Sequence, residues 1–222
     1  MFLPHVKICG LTRRSDVRFC AAAGAGALGA VFYAKSPRNV APETARELFA
    51  GLPPEVARVG VFVNALAETM IAAARIAALN TVQMHGTETR ADIESVQRAG
   101  FHVVKVLRSR DAELVAEARA LPPQTGILVE CGSGALPGGN GLAWDWSAAA
   151  ALADIQPFAI AGGLNAGNLA EAAQASRAAG FDASSSLESA PGLKDETAVR
   201  TYLRAAAELP APAAPFFWKG IP

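Results

Sequence analysis

The stretch RVGVFVNALAETMIAAARIAALNTVQMH, Arg58 to His85, decides the fold. RVGVFV is a short apolar run rich in β-branched valine and reads as a strand, and TVQMH at the other end reads the same way. Between them, ALAETMIAAARIAAL is long, alanine-rich and apolar at helical spacing. A strand, a helix and a strand in direct succession make a right-handed crossover, and the two strands it joins run parallel in one sheet.

The same unit extends outward in both directions. HVKIC, ALGAVFY, RVGVFV, TVQMH, HVVKVL, GILVE, PFAIA and FDASS each read as a strand. PETARELFAGL, ALAETMIAAARIAAL, TRADIESVQRAG, DAELVAEARAL and NAGNLAEAAQASRAAG supply helices between them, with starts marked by Asp, Pro or Asn and ends at Gly24, Gly100 and Gly180. Eight strands favour closure into a single α/β (β/α)8 TIM barrel over an open doubly wound sheet, and no GxGxxG turn follows the first strand to support the latter. The barrel is expected over residues 1–208. Residues 209–222 break helical periodicity with four prolines and cluster Phe216, Phe217 and Trp218, so they read as a tail that straps its aromatics against the outer helices.

Composition narrows the function. With 51% hydrophobic and 18% charged residues, the 222-residue chain can bury a full core without disulfides. Lys plus Arg equals Asp plus Glu at 20 each, which removes the basic excess that nucleic-acid binding needs and points to a small-molecule ligand. Cys9, Cys20 and Cys131 lack both the spacing of a metal site and the even count of a disulfide scaffold. No export signal or membrane-length apolar run is apparent. The expectation is a soluble cytoplasmic protein without metal, cofactor, nucleic-acid or membrane partner, acting as a monomer or homodimer.

In such a barrel, chemistry sits at the C-terminal ends of the strands. Those ends carry Cys9, Ser36 to Arg38, Asn64, His85, Arg108, Glu130, the AGG of Ala161 to Gly163, and Ser184 to Ser186. Alternation along the first strand puts Lys7 and Cys9 on one face, assigned inward. Cys9 is open to three readings: a buried structural thiol, a metal ligand, or a general base whose thiolate a nearby cation brings within reach of neutral pH. AIAGGLNAGN is a strand, a glycine pair and an Asn-started helix, the outline of a phosphate cradle, and FDASSSLES supplies a second after strand eight. Glu130 is a candidate general acid, and the glycine-rich CGSGALPGGNGLAWDW after it has the length of an active-site loop.

In combination KICGLT, the SPR of AKSPRNV, QMHG, PGGNG followed by WDW, AGGL with a downstream Asn168, and ESAPGLKD resemble the phosphoribosylanthranilate isomerase family in the right order, from about Val6 to Leu203. The resemblance implies a cofactor-free Amadori rearrangement of N-(5-phosphoribosyl)anthranilate, a phosphosugar, in tryptophan biosynthesis. It implies Cys9 as the base that removes the C2 proton and Glu130 in the place of the acid that opens the sugar ring. It further implies Arg38 on the substrate carboxylate, His85, Gly139 and Gly141 as substrate-binding residues, and Gly162, Gly163, Ser184 and Ser185 on the phosphate.

Two positions depart from the family's pattern. Glu130 stands where the family has aspartate, and a further methylene shifts a carboxyl by about 1 Å, enough to cost about 10²-fold in rate unless the backbone compensates. Ser186 stands where the family usually has glycine, so a left-handed backbone there would be strained. Both departures leave room for an alternative: a phospho-ligand binding protein on the same scaffold with weak or lost turnover. A related ketol isomerase of histidine biosynthesis fits less well, because such enzymes resemble paired half-barrels with an aspartate ending strands one and five. Strands one and eight are neighbours in a closed barrel, so Lys7 and Asp182 are expected to pair inside it, an unpaired inward charge being costly.

Overall fold

A computed structural model describes residues 3–108, 113–131 and 144–220. Eight parallel strands, β1 (Leu3–Ile8), β2 (Ala25–Phe32), β3 (Ala57–Phe62), β4 (Thr81–Met84), β5 (His102–Arg108), β6 (Gly126–Glu130), β7 (Ala159–Ile160) and β8 (Gly180–Ala183), pair in chain order. β8 pairs back onto β1, with Lys7 opposite Asp182, so the sheet is a closed barrel and the open alternative is excluded. Around it lie α1 (Arg14–Ala22), α2 (Pro42–Phe49), α3 (Ala67–Ile76), α4 (Arg90–Arg98), α5 (Leu114–Ala120), α6 (Leu169–Ser176) and α7 (Glu196–Ala207), with a 3-10 helix, Trp146–Asp154, between β6 and β7. A two-stranded antiparallel ribbon, β9 (Glu188–Ala190) and β10 (Leu193–Lys194), follows β8.

Local chemistry explains where the helices begin and end. Pro42 occupies the first turn of α2, where its missing N–H costs nothing. Thr89 and Asp92 form a reciprocal capping box on α4, and the Asp195 carboxylate accepts from the Ala198 amide at 2.8 Å to start α7. Gly24 and Gly100 take left-handed φ of 108° and 92° just beyond α1 and α4. Gly180 differs from expectation. It is the first residue of β8, α6 having ended at Arg177 with φ 58°, and a Cβ on Gly180 would lie 2.8 Å from the Phe216 ring. That glycine is spent on close packing rather than on ending a helix.

Two apolar layers result. The outer faces of the strands pack on the helices through residues such as Val6, Ile8, Leu28, Val82 and Ile127. The inner layer is built from smaller groups, Ala27, Ala57, Val59, Val104, Leu128 and Ala159 among them, and these leave a hole at the base of the barrel. Phe216 and Trp218 fill it. The tail therefore turns under the barrel instead of strapping its aromatics across the outer helices, because the interior is where unfilled apolar volume exists. Trp218 is only 1% exposed; its Nε1 donates to the His5 carbonyl at 3.2 Å and its own carbonyl accepts from the Thr81 hydroxyl at 2.6 Å.

Trp218→Ala is expected to cost about 3 to 5 kcal/mol of unfolding free energy, the range for truncating a large buried aromatic. Phe217→Ala, half-buried in the same tail, should cost distinctly less. Urea unfolding of the two variants checks this, and equal losses would mean that Trp218 is no plug.

Candidate active site

The upper rim of the barrel holds a cleft, partly open to solvent, lined by Cys9, Arg38, His85, Glu130, Gly162, Gly163 and Ser184 to Ser186 together with an apolar wall that includes Val31 and Val61. Cys9 sits one residue beyond β1, and its amide donates to the Ala183 carbonyl at 2.9 Å, so it continues the seam with β8. Lys7 and Cys9 both point inward. A Cβ on Gly29 would lie 3.0 Å from both Cys9 Sγ and Lys7 Cε, which shows how the bare backbone of β2 makes room for the two side chains side by side. Gly10 turns the chain with φ 78°, and a side chain there would run into Arg38 and the Ser184 hydroxyl.

Across the rim, Glu130 ends β6 and its Oε2 meets His85 Nε2 at 2.6 Å. Gln83 Nε2 lies 3.3 Å from His85 Nδ1, so the imidazole is gripped on both sides and in turn fixes the carboxyl of Glu130. His85 thus acts on Glu130 as well as lining the cleft. Gln83 Oε1 and Asp182 Oδ1 are buried acceptors at the cleft wall with no hydrogen-bond partner among the described residues, a feature suited to a ligand rich in hydroxyls.

The loops after β7 and β8 adjoin. Gly162 and Gly163 hold φ of 92° and 68°, and Asn168 braces them by donating to the Gly163 carbonyl at 2.9 Å and accepting from the Asn165 amide at 2.8 Å. Asn168 precedes α6 without capping it through its side chain. Ser184 donates its hydroxyl to the Cys9 carbonyl at 3.1 Å, and Ser185 begins a short 3-10 turn, Ser185–Leu187, whose first amides are free of intrahelical partners. Ser186 lies in that turn outside the left-handed region, and its hydroxyl bonds to the Leu164 carbonyl, so the strain anticipated for a serine at this position is not present. Gly139 and Gly141 lie outside the described residues.

Arg38 reaches the cleft from the loop after β2 already paired. Its Nε donates to both Glu188 carboxylate oxygens, at 2.9 and 3.1 Å, and its Nη2 to Oε2 at 2.6 Å, while Lys194 Nζ holds Glu188 Oε1 at 2.7 Å. Burial works to raise Glu188, but the two cations outweigh it and keep the carboxylate below its ordinary range. Its hydrogen bonds raise the Arg38 value in return, and burial lowers that of Lys194.

Below the rim, Lys7 Nζ donates to Asp182 Oδ2 at 2.7 Å, with both side chains buried. Burial opposes charge on both partners: it raises Asp182, and on Lys7 it is outweighed by the attraction of Asp182 and Cys9, so the ammonium is held charged. The Cys9 thiol is pushed up by burial; Lys7 pulls it down and Asp182 pushes it back up. The neighbouring cation expected from the sequence is present, but it does not bring the resting thiol below its ordinary value, because it is shared with a carboxylate and sits in a dry site. Among the described residues no group of three or more His, Cys, Asp or Glu could hold a metal ion.

A thiol, a clamped carboxyl, an arginine and two adjoining glycine and serine loops share one barrel rim. The family model of N-(5'-phosphoribosyl)anthranilate (PRA) isomerase matches residues 6–205. The chain belongs to that family. The N-(5'-phosphoribosyl)anthranilate isomerase of Myxococcus xanthus is 43% identical over 208 residues, spanning 91% of this chain and 95% of that one. The crystal structure of phosphoribosyl anthranilate isomerase from Thermotoga maritima matches with a TM-score of 0.83 at 34% identity, over 93% of this chain and 100% of its own. A phosphoribosyl anthranilate isomerase crystallised with reduced 1-(o-carboxyphenylamino)-1-deoxyribulose 5-phosphate matches with a TM-score of 0.78 at 33% identity, over 93% of this chain and 100% of its own.

Glu188, Lys194 and Gln83 were not singled out from the sequence. Glu188 and Lys194 belong to ESAPGLKD, part of the pattern that carried the resemblance to this isomerase family, but nothing in the spacing says that Glu188 meets an arginine 150 residues away. Gln83 lies on β4 two residues before His85, which continues the strand's direction one residue past its end, so the two share a face, a usable signal.

Peptide-resolved alkylation of Cys9 is expected to accelerate with pH through a midpoint above the ordinary thiol value of about 8.5. Asp182→Asn removes the carboxylate and leaves the Lys7 charge facing the thiol, so the midpoint moves down. A wild-type midpoint below the ordinary value, or an upward shift in the variant, contradicts this account.

Proposed function

We propose that the chain isomerises N-(5'-phosphoribosyl)anthranilate to 1-(2-carboxyphenylamino)-1-deoxyribulose 5-phosphate, the Amadori rearrangement of tryptophan biosynthesis, with Cys9 as general base and Glu130 as general acid. The observation that carries the reading is the shared cleft: thiol, carboxyl, arginine and the glycine and serine loops line one space. The substrate carries a phosphate and a carboxylate, and the cleft offers two loops with free amides and a guanidinium.

The phosphate lies between the loops of Gly162 and Gly163 and of Ser184 and Ser185, held by backbone amides. The anthranilate carboxylate meets Arg38, whose Nη1 has no carboxylate partner among the described residues. Glu130, oriented by His85, gives a proton to the furanose oxygen; the bond from C1 to that oxygen breaks and the nitrogen lone pair forms an iminium. Cys9 as thiolate then takes the proton from C2. The pair of that C–H bond becomes the C1=C2 bond, and the iminium pair returns to nitrogen. Loss of the enol proton from the C2 hydroxyl and protonation of C1 complete a ketone isomeric with the substrate, so no oxidant or cofactor enters. His85, and Gly139 and Gly141 beyond the described residues, complete the substrate contacts. Among the described residues no helix is long and apolar enough to cross a membrane, and the proposed setting is the cytoplasm, with the chain as a monomer or a homodimer.

Steady-state conversion of freshly generated substrate, followed through loss of anthranilate fluorescence, tests the roles. Cys9→Ala and Glu130→Ala are each expected to lower kcat by about 10²- to 10⁴-fold, the usual worth of a positioned acid or base, with unchanged thermal unfolding. Glu130→Asp should also lose about 10²-fold although it shortens the acid to the length the family pattern leads one to expect, because His85 is placed for the longer side chain. Full activity in Glu130→Ala would remove the acid assignment; full activity in Glu130→Asp would remove the argument from reach.

A further inference from the structure

The carboxylate of Glu188 is the best-connected group in the site without a role in the chemistry above. Its side chain is 3% exposed, and it sits between Arg38 and Lys194, whose side chains are 10% and 1% exposed. An arginine on a loop has many rotamers and a guanidinium with two usable edges. Glu188 accepts along the Nε and Nη2 edge, which fixes the plane of the group and turns the remaining N–H groups of Nη1 and Nη2 to other partners.

Lys194 anchors this clamp to the rest of the rim. Its Nζ also donates to the Ser184 carbonyl at 3.1 Å and its amide to Asp16 Oδ2 at 3.0 Å, while Ser184 is bonded to the Cys9 carbonyl. The arginine, the phosphate loop and the end of β1 are thereby tied through one carboxylate. Charge follows the same logic. One carboxylate set against two buried cations leaves a single net positive charge, which one incoming carboxylate neutralises.

We propose that Glu188 is a positioning residue for specificity: it holds Arg38 as a fixed, singly charged receptor, and so sets the preference for a substrate whose ring carries one carboxylate. This rests on the assignment of Arg38 to the substrate carboxylate.

The test compares two substrates, N-(5'-phosphoribosyl)anthranilate and the same phosphoribosyl amine made from aniline, which lacks the carboxylate. The quantity read is the ratio of their kcat/KM values in wild type, Glu188→Gln and Arg38→Met. Glu188→Gln is expected to reduce the preference for the carboxylated substrate by about tenfold or more, the lower range for a hydrogen bond to a charged group, with the loss in KM. A variant that slows both substrates by one factor, leaving the ratio unchanged, overturns the proposal, since a purely structural role predicts that result. Arg38→Met separates the underlying reading: a preference intact in that variant means that Arg38 does not hold the carboxylate at all. Glu188→Gln combined with Lys194→Met preserves the net charge of the cluster and reads the same ratio, should the single variant fold poorly.

Discussion

The ion pair between Lys7 and Asp182 is the constraint on which the barrel and its chemistry both depend. It joins the first strand to the last at the seam that closes the sheet, with the two residues directly opposed in register. A buried pair adds little to stability, because two desolvations oppose one attraction, but separating its members leaves each as an uncompensated charge. A slip of one residue at this seam would turn one partner outward into the helix layer and strand the other inside. The pair therefore penalises the wrong closure far more than it favours the right one.

The same pair divides the interior into a floor and a working end. Below it, the Trp218 ring lies 5.2 Å from Lys7 Nζ and closes the base with Phe216, packed edge to face at 5.1 Å. Above it sit Cys9 and the open cleft. Small inward residues are what make the division physical. Ala27, Ala57 and Ala159 leave the volume that the tail occupies, and Gly29 leaves the space in which lysine and thiol lie side by side. A tail that follows the region matched by the family model thus supplies part of the barrel's own core.

Much of this was legible in the sequence because it depends on local periodicity. Alternating strand and helix patterns gave the barrel, and strand-end positions placed Cys9, Glu130, Arg38 and the two glycine and serine loops on one rim. The inward register of Lys7 and Asp182 followed from counting by two along neighbouring strands. What the sequence could not supply was choice of partner across distance where no strand register fixes it. Phe216 and Trp218 announce burial but not whether the barrel's exterior or its base receives them, since that depends on the summed volume of residues from several strands. Gly180 looks like a helix end because glycine serves there often; its contact with Phe216 becomes visible only when both termini are in place. The ionisation of Cys9 depends on distant groups in a related way. A neighbouring lysine lowers a thiol, but the depth of burial and a third group set the net direction.

The two departures from the family's pattern gain physical sense from their immediate neighbours. At position 130 a longer acid brings its carboxyl to 2.6 Å from His85, an imidazole held from behind by Gln83, so the added methylene ends in a defined contact and not in a freely rotating group. At position 186 the backbone adopts a turn that any residue can occupy, and the serine hydroxyl ties that turn to the Leu164 carbonyl in the loop after β7. A glycine there would leave the two loops joined by fewer bonds, and one with a larger apolar side chain would lack the donor. The two positions are thus each fixed by a defined contact: reach plus a clamp at Glu130, and a cross-loop hydrogen bond at Ser186. Contacts of this kind hold side chains in fixed positions relative to one another, which is what a positioned acid or base requires.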